Sequence, residues 1–294
     1  MLARTRDDGC VLSEQRLRDL AEGLAEVPGV SAVALGGSRA RGEHTATSDV
    51  DLGLYYRPPL DVRALQNVAK QVAGADARVT APGEWGPWVD GGAWLCIEGT
   101  AVDWLYRDLD RVDRSVRAAR AGRFAWHFQV GHPLGVPDFL YAAEVALAMV
   151  LVDPSGELRG LQETTRPYPP RLRNAVVAGL WEAGFCLENA RTAVSRADGA
   201  YVCGCLFRAI LLCAHALLAH AGRWVVNEKG AVSAAGRLPY SPSDFAARAQ
   251  AVYTGVSGDG DLGATLTAAR ALLDETMEVC GYQETAGPPE PPTS

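Results

Sequence analysis

The sequence predicts an α+β fold, in which a mixed sheet domain with flanking helices is followed by an all-helical domain. Three observations carry this reading. Helix-period and strand-period hydrophobic patterns are interleaved as far as about Asp110. From Asp138 onward the pattern is almost wholly helical. The 294 residues are enough for about two domains at roughly 150 residues each. The change of pattern puts the boundary between residues 115 and 137. We assign 1–115 to the sheet domain, 116–282 to the helical domain and 283–294 to a disordered tail, since ETAGPPEPPTS cannot build a packed element.

The elements follow in order. Leu17, Leu20, Ala21, Leu24 and Val27 recur at three- and four-residue steps, an amphipathic helix over 13–27 that Pro28-Gly29 ends. Val30–Leu35 reads as a short buried strand running into Gly36-Gly37-Ser38. Asp49–Tyr56 alternates, with Val50, Leu52 and Leu54 on one face and Asp49 and Asp51 on the other. Pro58-Pro59 closes that strand, and Leu65, Val68, Ala69 and Val72 mark a helix. After a Gly/Pro/Trp-rich loop (Ala81–Gly92), strands Ala93–Glu98 and Ala101–Arg107 face each other through a hairpin at Gly99-Thr100. Helices are expected over 138–151, 171–196, 200–221, 243–253 and 262–280.

Composition narrows the function classes. Apolar residues make up 48% and charged residues 21%, which excludes low-complexity disorder. With 28 basic and 35 acidic residues the formal net charge is −7, which argues against bulk nucleic-acid binding and leaves room for a cationic small substrate. The apolar stretches Leu140–Val152 and Cys205–Ala219 are shorter than the ~20 residues a bilayer needs, so buried helices are expected and no membrane. The N-terminal MLARTRDDGCVLSEQ has acidic residues and no apolar run, so no secretory signal is expected. The seven cysteines, with Cys203 and Cys205 one residue apart, fit reduced buried thiols of a cytoplasmic protein better than a zinc or redox motif.

The chemistry concentrates in Leu35–Gly42 and Ser48–Gly53. A triphosphate needs a tight turn whose backbone N–H groups approach it closely; glycines allow this, a hydroxyl adds a donor, and a following helix start adds a favourable dipole. Strand, Gly36-Gly37-Ser38 and helix come in that order. Asp49 and Asp51 project from the same side of a strand, about 7 Å apart along it. Two such carboxylates repel unless a hard divalent cation is shared between them and a substrate phosphate. Asp103, in Ala101–Tyr106, is placed to supply a third from a neighbouring strand. A lone Gly-Gly-Ser or Asp-x-Asp is commonplace, and the weight lies in their conjunction.

Gly36–Gly42 with Ser48-Asp49-Val50-Asp51 resembles the minimal nucleotidyltransferases of the DNA polymerase beta superfamily, the group that contains aminoglycoside and lincosamide nucleotidyltransferases. The signature spans about 25 residues, with Asp103 a looser extension. The resemblance implies a polymerase-beta-type sheet domain and a helical-bundle domain that helps form the acceptor cleft. It implies that Gly37 and Ser38, with Gly36, Arg39, Arg41 and Ser48, hold the triphosphate. It also implies that Asp49, Asp51 and Asp103 bind one or two Mg²⁺, with in-line attack on the α-phosphate and release of pyrophosphate. The expected activity is transfer of a nucleoside monophosphate, AMP from ATP first among the NTPs, to a hydroxyl of an aminoglycoside- or lincosamide-like small molecule. A nucleotidyltransferase toxin acting on protein or tRNA, and a non-catalytic nucleotide-sensing or antitoxin-like module, are the alternatives.

Further residues are singled out by context. Glu144 interrupts the apolar run Phe139–Leu151, where an unpaired carboxylate is costly, and is a candidate general base beside Asp103 and the weaker rival Glu98. Lys229 and Lys70 are the only lysines, so Lys229 is read as a phosphate contact, with an ordinary exposed loop lysine as the alternative. Arg208 and His215, with six residues between them, resemble the Arg-x(4–6)-His motif of HEPN-type ribonuclease domains, although a buried His215 with a satisfied hydrogen bond is the simpler reading. His127 and His132 lack a third zinc ligand and are left as substrate contacts. Neither the nucleobase nor the oligomeric state leaves a mark in the sequence.

Overall fold

A computed structural model describes residues 12–45, 47–256 and 260–283. The tail from Glu284 and the N-terminal segment up to Val11 lie outside the described residues. Helix α1 (Glu14–Ala25) starts at Ser13, whose hydroxyl accepts the Arg16 N–H, and it buries Leu20, Ala21 and Leu24. Strand β1 (Val30–Leu35), the one-turn helix α2 (Gly37–Ala40), strand β2 (Val50–Tyr56) and helix α3 (Val62–Ala73) follow. Strands β3 (Gly92–Ile97) and β4 (Thr100–Asp108) form a hairpin. Its two turn residues are Glu98 and Gly99, one position earlier than expected, with φ of 50° and 79°. Positive φ at both positions gives the turn the twist of the strands it joins.

Then come α4 (Leu109–Arg120), the paired strands β5 (Trp126–Gln129) and β6 (His132–Pro137), α5 (Leu140–Leu147) and β7 (Met149–Val152). The helix expected over 138–151 therefore stops at Leu147. Met149-Val150-Leu151-Val152 pairs antiparallel with β1 as a fifth strand. An unbroken apolar run has no period to separate strand from helix, and the β-branched Val150 and Val152 favour the sheet once an edge is available. The remaining helices are α6 (Glu157–Thr165), α7 (Pro170–Ala178), α8 (Leu180–Val194), α9 (Gly199–His220), α10 (Ala231–Gly236), α11 (Phe245–Thr254) and α12 (Leu262–Cys280). The expected helix 171–196 is thus divided at Gly179.

The chain forms two compact units, which a single cut near residue 115 does not reproduce. The first comprises 1–117, 129–131 and 141–166, and the second 118–128, 132–140 and 167–294. Strand β7 is the reason the chain returns to the first unit. That unit's sheet has the order β3-β4-β2-β1-β7, with β2 and β4 parallel and the other neighbours antiparallel. Its core contains Leu52, Leu54, Val102, Trp104 and Tyr106 against Leu24 and Leu65. Alternation sends the next residues of β2 and β4, Asp51 and Asp103, to the other face.

The second unit is built around α9, which packs against α7, α8, α10, α11 and α12. Among the described residues α9 alone is long and apolar enough to cross a membrane, and it is mostly buried inside this unit. Cys213 is buried as expected; Cys203 is exposed, because it falls on the outward side of α9. His215 is buried too, and burial lowers its pKa to about 4. Its ring meets Trp126 edge-on at 5.3 Å, and its Nε2 is buried without the hydrogen bond expected of it. The Arg208 guanidinium is held by the Glu182 carboxylate and the Leu134 carbonyl. A neutral, enclosed His215 and an ion-paired Arg208 do not form a ribonuclease dyad.

Candidate functional site

The glycine turn and β2 are tied together by backbone. The Gly36 N–H donates to the Asp51 carbonyl at 2.8 Å, which sets the Gly36–Ser38 turn directly beside the Asp51 side chain. Gly37 has φ +61°, and a Cβ there would lie 1.8 Å from Asp51 Oδ2. Two requirements for glycine thus coincide, backbone freedom and the close approach of a carboxylate. Helix α2 is a single turn, so its contribution to an anion comes from the first-turn N–H groups of Gly37, Ser38 and Arg39 and not from a long helix dipole.

Replacing Gly37 by alanine has a definite expected outcome. The obstacle is the tip of a side chain, which can swing aside, so stability falls by only about 1–2 kcal/mol, the cost of a left-handed non-glycine residue. Activity falls further, by about tenfold or more, because the carboxylate that swings is Asp51. Urea unfolding and initial-rate measurement on the same preparation check the two figures.

Arg39 and Ser48 have structural work in this turn. Arg39 donates to the Ser48 carbonyl at 2.8 Å through Nη2 and to the Asp49 carbonyl at 3.2 Å through Nε, which anchors α2 to the start of β2. The Ser48 hydroxyl accepts the Thr45 N–H at 2.9 Å. Both were expected to hold nucleotide, and both shape the loop that presents Asp49 and Asp51. Arg41 pairs with Glu43 at 2.8 Å, yet its charge reaches Asp51 and lowers that group's pKa.

The carboxylates share one face. In the parallel pairing of β2 and β4, Asp51 stands opposite Asp103. Placement of Asp103 on the far face of the sheet would have removed it from the site; the register puts it beside Asp51. Burial raises the Asp51 pKa from 3.8 to about 6, with further upward pushes from Asp103, Asp49 and Glu144. That is the electrostatic signature of clustered negative charge in a partly dry setting. Among the described residues no three acidic, His or Cys side chains form a ready-made metal cluster as they stand.

Glu144 does not stand open as a base. Its two carboxylate oxygens accept from Arg107 Nε at 2.5 Å and Nη2 at 2.7 Å. Arg107 lies four residues beyond Asp103, on the same face of β4, and is 4% exposed. Burial works against the guanidinium charge, but Glu144's charge and hydrogen bonds more than offset it, so the Arg107 pKa is raised. The other residues considered lie as follows. Glu98 pairs with Arg16 at 2.8 Å at the exposed hairpin turn. Lys229, in the second unit, is exposed in a turn where its backbone N–H donates to Asn227 Oδ1. His127 contacts Asp138 at 3.4 Å and His132 contacts Glu228 at 3.3 Å, both within the second unit.

Sequence reasoning missed Arg107 and Trp94. Trp94, on β3, stands opposite Asp103 in the antiparallel register and is 63% exposed. The signal was present in the outward alternation of Trp94 and Cys96 against buried Leu95 and Ile97.

Residues 17–79 match the family model described as a nucleotidyltransferase domain. The matched segment contains the Gly36–Ser38 turn, Asp49 and Asp51, and stops short of Trp94 and Asp103. No curated protein matches the chain. Among solved structures, a nucleotidyltransferase-like protein from Exiguobacterium sibiricum 255-15 is similar, at 14% identity and a TM-score of 0.44. The match covers 91% of this chain and 77% of that one.

Proposed function

Proceeding from the nucleotidyltransferase domain that residues 17–79 carry, we propose that this protein moves a nucleoside monophosphate, AMP from ATP first among the candidates, to a hydroxyl of a small-molecule acceptor. The observation that carries the proposal is the pairing of Asp51 with Asp103 in one cross-strand row, beside a glycine turn that leaves no room for a Cβ. A divalent cation such as Mg²⁺, held by Asp49, Asp51 and Asp103, would offset charge at the α-phosphate and on the departing pyrophosphate. The raised pKa of Asp51 supports this fit, since a clustered carboxylate under repulsion gains most from a shared cation.

The chain's own residues supply the rest. The first-turn N–H groups of α2 and the Ser38 hydroxyl donate to the β- and γ-phosphates, with Arg41 as the adjacent cation. The acceptor oxygen forms a bond to the α-phosphorus as the bond to the bridging oxygen of the β-phosphate breaks, and pyrophosphate leaves. An oxygen of Asp103 that does not hold the cation takes the hydroxyl proton, while both oxygens of Glu144 accept from Arg107. A cytoplasmic location belongs to the same reading, supported by the free thiols of Cys96, Cys186, Cys203, Cys205, Cys213 and Cys280.

The test is pyrophosphate release by purified protein with each of the four NTPs, Mg²⁺ and a panel of hydroxylated acceptors. Release that depends on Mg²⁺ and on one acceptor class supports the proposal. Tight binding of a non-hydrolysable NTP with no release for any acceptor overturns it and favours a nucleotide-sensing module. Label from ATP entering protein or tRNA in a cell extract shifts the acceptor from a small molecule to a macromolecule.

A further inference from the structure

Resting on that functional reading, we propose that Trp94, stacked on Trp85, is the acceptor platform, and that it receives the C–H face of a hydroxylated, sugar-like ring. The two indoles are parallel within 14°, with centroids 4.2 Å apart, so Trp85 braces one face of the pair. Beyond the Trp85 stack, Trp94 leaves 63% of its surface exposed on the outward face of a strand that buries Leu95 and Ile97 on the other. The backbone that carries the brace is itself anchored: the Gln129 side-chain amide donates to the Trp85 carbonyl at 2.7 Å, and the Trp85 backbone N–H donates to the Asp90 carbonyl at 3.0 Å.

Register and reaction geometry identify the occupant. Read across the sheet, one row runs from the Gly36 turn through Asp51 on β2 and Asp103 on β4 to Trp94 on β3. Adjacent strands are about 4.8 Å apart, so Trp94 begins roughly 5 Å beyond Asp103 on the side away from the glycine turn. Displacement at phosphorus is in line, which puts attacking and leaving oxygens on opposite sides of the α-phosphorus. With pyrophosphate leaving toward Gly37 and Ser38, the attacking hydroxyl arrives from the β3 side. A saturated hydroxylated ring suits that corner on both counts. Its hydroxyls donate to the Asp103 carboxylate, and its axial C–H bonds, slightly positive, lie against the negative face of the Trp94 indole. An amino substituent on the ring would add attraction to the same face.

Saturation-transfer NMR on the purified full chain with Mg²⁺ tests this, using glucosamine, methyl glucopyranoside and AMP as probes. The expected result is transfer to the pyranose C–H protons of both sugars, reduced about fivefold in Trp94→Ala, as one stacking face is worth. Trp94→Phe retains most of the signal. The double variant Trp85→Ala/Trp94→Ala abolishes it, which rules out substitution by the newly bared Trp85. Equal sugar signals in wild type and both alanine variants overturn the platform. Transfer to the adenine protons of AMP in place of the sugars also overturns it, by making the indole a nucleobase site. Asp51→Asn separates this inference from its premise: it is expected to leave the sugar signal intact, whatever becomes of pyrophosphate release.

Discussion

Asp51→Asn is expected to lower Mg²⁺-dependent pyrophosphate release by about 10³-fold or more, while making the metal-free protein more stable at neutral pH. Both effects come from one arrangement. The carboxylate lies between the glycine turn and Asp103, so its charge is what a cation on the triphosphate would meet. The same charge is a cost to the protein alone, as the pKa of about 6 records, burial being the first cause and Asp103 and Asp49 the next. A folded-state pKa above the unfolded value contributes stability that is complete below about pH 4 and is lost as pH rises through about 6. A shift of about two pH units corresponds to about 3 kcal/mol as an upper figure, since this side chain keeps some contact with solvent. Asparagine removes the loss. Wild type and variant should therefore have similar melting temperatures near pH 4, diverge between about pH 4 and 6, and keep a constant difference above that, with the variant higher. Adding Mg²⁺ should raise the wild type at pH 7 and leave the variant unmoved. A variant no more stable than wild type at pH 7 without metal would contradict the electrostatic account, and near-normal pyrophosphate release would contradict the catalytic one.

Arg107→Met is expected to destabilise the protein by about 3 kcal/mol, the largest stability effect of any single change considered. Arg107 donates to both oxygens of Glu144 and to the carbonyls of Val89 and Tyr106, at 3.1 and 2.7 Å, and lies over the Tyr141 ring at 5.4 Å. Methionine fills similar space but leaves the Glu144 carboxylate and two carbonyls without their donor. Because Glu144 is 22% exposed, water recovers part of the loss, which keeps the figure at the low end for a broken buried pair. Arg107→Met/Glu144→Leu should regain more than half of it, since no charge is then left behind. Denaturant unfolding of the two single variants and the double gives the coupling directly. A loss below about 1 kcal/mol for Arg107→Met would reclassify the pair as a surface contact.

These two residues also mark the limit of what could be read from the chain as text. Asp51 was legible because its chemistry is local: an alternating strand puts it beside Asp49 on one face, and the Gly-Gly-Ser turn precedes it at short range. Arg107 was not, because its partner is 37 residues away on α5 and its burial follows from that partner. Glu144 illustrates the converse. Its position in an apolar run correctly signalled a carboxylate that needs explaining, and suggested a base. Only the fold supplied the guanidinium that occupies it.

What the sequence determined by itself was everything written in short-range periodicity and turn chemistry: the mixed α+β character, the bounds of α9, α11 and α12 to within two residues, the glycine turn, and the aspartates at the start of β2. Tertiary structure alone decided the parallel register that sets Asp103 against Asp51, the recruitment of Met149–Val152 into the sheet beside β1, and the antiparallel register that sets the exposed Trp94 opposite Asp103. The physical reason is that side-chain alternation along a strand is a property of that strand, whereas register belongs to a pair. A one-residue slip would reverse the face of every side chain, and burial of Leu52, Val102 and Trp104 on the opposite face is what forbids it.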